Sequence, residues 1–205
     1  MTEYVLHIEN QSTNFFDFAV FQRVPDTTVR DVFSLAWFAK PAYPTTTLTF
    51  TWEIDYSFVW DETGRLEEGV VFDASQSWKA DPSDPALNKV GLDHIDGAFT
   101  FDRETGAAAN GLYIKQGPHI PMNTASVGIG MSGRGTYAVQ AQPNLELKFE
   151  PHPNYWVAAG NFVEGQVLDM ETVTNVAEVP YANNFFEMTA TLQADNSWNV
   201  RPTGR

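Results

Sequence analysis

No cysteine occurs among the 205 residues, which removes disulfides, thiolate metal ligands and a cysteine nucleophile together and fits any redox compartment. Basic residues are scarce, with 12 Lys and Arg against 26 Asp and Glu and a formal charge of -14 at pH 7. A surface of that sign repels a phosphate backbone and anionic lipid heads, so neither nucleic acid nor a membrane is an expected partner. No apolar run approaches the roughly 20 residues that a membrane-spanning helix needs. The opening Met-Thr-Glu-Tyr-Val-Leu-His-Ile-Glu-Asn lacks the basic and long apolar regions of a signal peptide. The expected location is therefore cytoplasmic, or outside the cell by a route without a recognisable signal peptide. A convincing helical stripe is also lacking; Val29 to Phe38 is the best candidate for a turn or two of helix.

What the chain does have is aromatic weight and alternation. It carries 15 Phe, 7 Tyr and 6 Trp, is 43% hydrophobic and only 19% charged, and so has the material for a large core. Leu48, Phe50, Trp52, Ile54, Tyr56, Phe58 and Trp60 occupy the even positions of the run from Thr47 to Trp60. Thr47, Thr49, Thr51, Glu53, Asp55, Ser57 and Val59 occupy the odd ones. Successive side chains of a strand point to opposite faces, so this period of two predicts one long strand with a buried face and a polar row. Shorter copies of the rhythm appear at Tyr4-Leu6-Ile8, Phe16-Phe18-Val20, Leu145-Leu147-Phe149 and Phe186-Met188-Ala190-Leu192.

Turn chemistry separates these segments at Pro25-Asp26, Asp81-Pro82-Ser83-Asp84-Pro85, Gly117-Pro118, Pro151-His152-Pro153-Asn154 and Ala194-Asp195-Asn196. Asp61-Glu62-Thr63-Gly64 and Asp102-Arg103-Glu104-Thr105-Gly106 each follow an aromatic strand end and read as hairpin tips. The stretch from Trp78 to Gly97 reads as a long exposed loop. Many strands, no helices and no linker predict a single all-β domain over residues 1–205. Its expected architecture is a jelly-roll-like antiparallel sandwich of two sheets, with a barrel as the alternative.

Candidate chemistry is thin. Glu53 and Asp55 lie at i and i+2 and resemble the Glu-x-Asp-x-x-Glu signature of jelly-roll endo-glucanases and carrageenases, which use such carboxylates to hydrolyse glycosidic bonds. The signature's acid would fall at position 58, where Phe58 stands. Gly128-Ile129-Gly130-Met131-Ser132-Gly133 spells a dinucleotide fingerprint, but without a βαβ unit it reads as a strand whose bare side admits a ring or another backbone. Asp93 and Asp96 flank His94, with Asp81 and Asp84 nearby, and are weak candidates for a loose calcium site. His7, His94, His119 and His152 show no metal-binding spacing, and no cofactor is expected. Ser75 lacks the context of a nucleophile elbow.

His119 and His152 each sit between prolines, and Tyr155 and Trp156 follow the second of them. Proline-pinned loops beside aromatics suit a ligand such as a sugar, so His119, His152, Tyr155 and Trp156 are candidate ligand-binding residues, although Tyr155 and Trp156 equally fit the start of a core strand.

Phe33-Ser34-Leu35-Ala36-Trp37-Phe38-Ala39-Lys40, Trp52-Glu53-Ile54-Asp55-Tyr56-Ser57-Phe58-Val59-Trp60 and Gly69-Val70-Val71-Phe72-Asp73-Ala74-Ser75-Gln76-Ser77-Trp78 resemble the RhiA family, over about the first 80 residues. The resemblance implies an abundant soluble bacterial protein expressed at high cell density, with no reaction and no catalytic residues to transfer. The functional expectation is a non-enzymatic protein that binds a small molecule, glycan or protein, or associates with itself as a homo-oligomer. Two rivals are a hydrolase using Glu53 and Asp55, and a calcium-dependent adhesion or storage protein.

Overall fold

A computed structural model describes residues 2–24, 31–182 and 185–204. The Pro25-Asp26 turn and the start of the 29–38 segment lie outside the described residues. Eighteen strands occur among the described residues, with no helix. The first six are β1 (Glu3–Asn10), β2 (Phe16–Phe21), β3 (Val32–Leu35), β4 (Phe38–Ala42), β5 (Thr47–Glu53) and β6 (Tyr56–Asp61). Next come β7 (Gln76–Lys79), β8 (Lys89–Ile95), β9 (Ala98–Arg103), β10 (Leu112–Gln116), β11 (Ser126–Met131) and β12 (Arg134–Gln140). The last six are β13 (Glu146–Phe149), β14 (Trp156–Gly160), β15 (Val167–Leu168), β16 (Val176–Glu178), β17 (Glu187–Leu192) and β18 (Trp198–Pro202).

The all-β sandwich architecture is present, but four sheets replace the expected two, and none closes into a barrel. One pair of sheets has the orders β18-β17-β1-β5 and β16-β14-β2-β4. Leu6, Ile8, Phe50, Trp52 and Met188 of the former meet Phe18, Val20, Phe38 and Val157 of the latter in one buried cluster. The other pair has the orders β15-β3-β12-β11-β6-β7 and β13-β10-β8-β9. Phe58, Trp60, Val127 and Ile129 there meet Val90, Leu92, Phe101, Leu112 and Leu147. Most neighbours run antiparallel; β1 with β17 and β8 with β10 run parallel.

The Thr47–Trp60 run is two strands rather than one. β5 pairs with β1 and β6 pairs with β11 and β7, so the ribbon leaves one sandwich and enters the other at Ile54–Asp55. Phe50 and Trp52 are buried in the first core and Phe58 and Trp60 in the second, while Ile54 at the crossing is exposed. The polar row also ends there. Thr49 and Thr51 face solvent, whereas Ser57 and Val59 are buried, Val59 because Leu66 and Phe72 cover it on the outer face of β6. Alternation kept its period through the crossing because large even residues serve either core equally well.

Other expectations change for similar reasons. The described part of the 29–38 segment forms the strand β3 and the entry to β4, with Trp37 fully buried between them. The Trp78–Gly97 stretch is loop only over residues 80–88, since β7 ends and β8 runs within it. The two Asp-to-Gly stretches are not hairpin tips. Residues 62–75 lead from β6 to its neighbour β7, and residues 104–111 lead from β9 to β10, which are not paired with each other. The tight two-residue hairpins lie instead at Asp96–Gly97 and Ser132–Gly133, where both residues of each turn take positive φ. The bare-sided reading of β11 holds: a Cβ on Gly128 would lie 1.9 Å from the Tyr137 carbonyl oxygen, so β12 approaches where only glycine fits.

Candidate functional site

The crossing at Ile54–Asp55 is held by the β11–β12 hairpin. The Ser132 backbone N–H donates to Asp55 Oδ1 at 2.7 Å and its hydroxyl donates to the same oxygen at 3.2 Å. The Glu53 backbone N–H in turn donates to the Ser132 hydroxyl at 3.2 Å. One residue earlier in the hairpin, the Met131 carbonyl accepts Trp37 Nε1–H at 2.9 Å. The same turn thus clamps two of the places where the chain passes between sandwiches, β3 to β4 and β5 to β6.

Ile54 borders two clefts. The first, about 340 Å³, is lined by Tyr4, Ile54, Asn154, Tyr155, Glu178 and Tyr181, with Pro153 and Pro180 at its margin. The three tyrosine rings pack on one another with centroids 5.1, 5.4 and 5.8 Å apart, leaving no space between them and forming a continuous aromatic wall. Trp52 stands behind that wall, 4.9 Å from Tyr155. Local bonds make the wall rigid. Tyr181 donates its hydroxyl to the Val5 carbonyl at 2.8 Å, and Val179 N–H donates to the Tyr155 carbonyl at 2.8 Å. Asn154 exchanges two bonds with the Arg23 backbone, accepting from its N–H at 2.9 Å and donating to its carbonyl at 3.0 Å.

Tyr155 Oη and Trp52 Nε1 are both buried and find no partner beyond each other: the Trp52 indole N–H faces the Tyr155 oxygen and partly offsets the effect of burial on that phenol, which leaves the Tyr155 O–H without an acceptor. Burial pushes the Tyr155 phenol up to about 12, and it pushes Tyr56 and Tyr181 beyond the ordinary phenol range as well. All three therefore stay neutral and keep an O–H to donate at any physiological pH.

The second cleft, about 680 Å³, lies on the other side of Ile54 and is lined by Asp55, Ser57, Ser77, Lys79, Asp81 and Gly133. Ser57 is 6% exposed and its hydroxyl also lacks a partner. Asp81 accepts from the Ser83 hydroxyl and backbone N–H, which hold its carboxyl below the usual carboxylate range.

The structure gathers some of the sequence candidates and separates others. Glu53 and Asp55 lie at the crossing, but Asp55 serves as the acceptor that anchors the hairpin, and Phe58 is buried in the second core. Tyr155 lines the first cleft beside the His152 loop, and Trp156 points to the opposite face of β14, where the Arg23 guanidinium lies 3.7 Å from its ring. His119 is elsewhere, on the second sheet pair, where its Nδ1 lies 2.9 Å from Asp93 Oδ2. Asp93 also accepts from the backbone N–H groups of His94 and His119. Asp96 occupies a hairpin turn. Among the described residues no group of three or more His, Cys, Asp or Glu is placed to hold a metal ion.

Tyr4, Ile54, Ser57, Ser77, Lys79 and Tyr181 line the clefts without having stood out in the chain. One signal did exist for Tyr181: Val179-Pro180-Tyr181 repeats the proline-beside-aromatic pattern that singled out His152 to Trp156.

Comparison with known proteins gives one consistent result. The family model described as RhiA matches residues 1–203. A curated relative, "Protein RhiA" of Rhizobium leguminosarum bv. viciae, is 41% identical over 204 residues, covering 98% of this chain and 87% of that protein. The likeness read from the first part of the sequence therefore extends through almost the whole chain. No solved structure matches.

Proposed function

The chain belongs to the RhiA family, and on that premise we propose that it is a non-enzymatic binding protein that takes a saccharide in the tyrosine-walled cleft beside Ile54. One observation carries this reading: the buried Tyr155 O–H has no acceptor and sits at an aromatic-walled cleft. A buried donor left unpaired costs about 1–3 kcal/mol, a cost that a ligand oxygen would relieve. A sugar offers both complements, an apolar C–H face for the rings and a hydroxyl for the unpaired Tyr155 donor. Asn154 and Glu178 add polar groups at the margin, and the bonds that fix the wall keep the ordering cost of binding low.

The hydrolase reading is weaker because Asp55 is occupied by the hairpin and the acid position is a buried phenylalanine. The test is a glycan array followed by titration calorimetry on the whole protein and on Ile54→Arg, which places a long charged side chain between the clefts. Binding of one saccharide class that the substitution abolishes supports the proposal. A protein that binds no saccharide, or binds equally well with Arg at 54, sinks it.

Self-association is favoured by a separate feature. Phe15 and Tyr43 are 48% and 69% exposed, and their rings lie 4.8 Å apart on neighbouring loops. The pair rests on a fixed base, since the fully buried Asn10 side chain donates to the carbonyls of Asn14 and Ala42 at 3.0 Å each. Sedimentation should then give a dimer or larger species that Tyr43→Ser shifts toward monomer; a wild-type monomer at high concentration ends this reading.

A further inference from the structure

We infer that the ligand is a linear, neutral oligosaccharide that crosses Ile54 and fills both clefts, an inference that rests on the saccharide reading above. Ile54 is 37% exposed and lines both hollows, so the two abut at this residue. Each is large enough by itself, at about 340 and 680 Å³, to fall within the range of small-molecule pockets. A single sugar unit would leave one of them unused.

The second cleft carries its own unmet hydrogen-bonding group, the Ser57 hydroxyl, 94% buried by its 6% exposure and without a partner. Ser77 and Lys79 extend along β7 beside it, and Asp55 is held in place by Ser132 at the crossing. The tyrosine cleft thus supplies stacking, and the second cleft supplies mainly hydrogen bonds. A chain with repeating C–H faces and hydroxyls satisfies both in turn.

Charge selects among saccharides. Glu178, Asp55 and Asp81 line the path against the single cation Lys79, on a protein of formal charge -14. A uronic-acid polymer would meet like charge at both ends of the groove, whereas a neutral chain would not.

The experiment is titration calorimetry with gluco-, manno- and N-acetylglucosamine oligosaccharides from monosaccharide to tetrasaccharide, with oligogalacturonate as the charged probe. In the wild type the tetrasaccharide of the recognised series should bind about tenfold more tightly than its monosaccharide, the factor given by about 1.4 kcal/mol of added contact. Ser77→Trp, a substitution at an exposed strand position that fills the second cleft, should bring the tetrasaccharide down to the affinity of the shortest ligand bound. If the tryptophan disturbs the fold, as judged by circular dichroism, Lys79→Ala serves instead and should weaken the tetrasaccharide by about threefold, the loss of one hydrogen bond. Oligogalacturonate should not bind at low salt. Equal affinity for monosaccharide and tetrasaccharide overturns the two-cleft inference and leaves the saccharide reading standing. A length effect that neither variant reduces also overturns it, and tight binding of oligogalacturonate overturns the neutral assignment. If no saccharide binds, the saccharide reading fails and the inference falls with it.

Discussion

The two sheet pairs differ in how completely they satisfy their aromatic polar atoms. In the second pair Trp60 Nε1–H donates to Gln76 Oε1 at 3.0 Å, and the Tyr137 hydroxyl donates to the Arg23 carbonyl at 2.9 Å. In the first pair Met131 satisfies the Trp37 indole and Val5 the Tyr181 hydroxyl, but the Tyr155 O–H has no acceptor. The ring arrangement differs too. Trp37, Phe38, Trp52, Tyr155, Tyr4 and Tyr181 form one continuous chain of ring contacts, whereas the second core holds separate pairs such as Trp60–Phe99 and Trp78–Phe101. Inside a sandwich the strand backbones already use their own N–H and C=O groups, so a ring donor needs a side chain or a free carbonyl to meet it. Trp60 and Tyr137 in the second core meet such partners; the Tyr155 O–H in the first does not, and the first cleft lies beside it.

The severest way to break this contrast is to remove the ring that both pairs share. Trp37→Ala should destabilise the protein by about 3–5 kcal/mol, measured as the shift in urea unfolding, because it empties a fully buried site and leaves the Met131 carbonyl unpaired. A loss near zero would show that the junction at Met131 joins nothing.

A sharper test deletes one hydroxyl from each side. Tyr137→Phe removes one of the two donors to the Arg23 carbonyl, Asn154 remaining as the other, and should cost about 1 kcal/mol in the same assay. Tyr155→Phe removes an O–H that has no acceptor and an oxygen that only the Trp52 indole approaches, so stability should change by less than with Tyr137→Phe while saccharide affinity falls. If both substitutions cost the same, the two pairs do not differ as described.

Smaller effects are expected at the crossing. Asp55→Ala should cost about 1 kcal/mol, because two bonds to Ser132 are lost at an exposed position, whereas Glu53→Gln, whose carboxylate is not needed to hold the hairpin, should leave the melting temperature unchanged. A large loss with Glu53→Gln and none with Asp55→Ala would reverse the roles given to them.

The smallest is a pH effect confined to the second pair. Burial alone would raise the Asp93 carboxyl, but the His119 ring and the N–H groups of His94 and His119 outweigh it, and the net shift is downward. A carboxyl depressed in the folded state adds stability above its unfolded value, about 3.9, and that stability is lost as pH falls through the folded value. Melting curves of Asp93→Asn should therefore show a shallower decline below pH 4 than the wild type; identical acid limbs would remove Asp93 from the account.

Much of the fold was legible. Tyr4-Leu6-Ile8, Leu147-Phe149 and Met188-Ala190-Leu192 fall on strands with buried alternate residues apart from the half-buried Tyr4, while Leu145 and Phe186 stand just before β13 and β17. Ala194-Asp195-Asn196 does turn β17 into β18. The hairpin tips were misplaced because Asp and Thr-Gly serve open loops as readily as tight ones, while Asp96–Gly97, the true tip, lay hidden inside a stretch read as loop for its Asp-Pro pairs. The site was half legible: proline beside an aromatic marked Tyr155, but Tyr4 looked like one more core residue of an alternating strand.

The sequence by itself determined that this chain is all strand, acidic, free of cysteine and rich in rings that alternate with polar residues. Those properties depend on composition and on a local period of two, which each segment carries within itself. Only the tertiary structure decided that there are four sheets, that the Thr47–Trp60 ribbon divides its two ends between different cores, and that Ile54 stands exposed between two clefts. Those outcomes depend on which strands pair across distances of 40 to 180 residues, as Glu3 does with Glu53 and Val5 with Glu187, and an alternating pattern gives no preference among the partners.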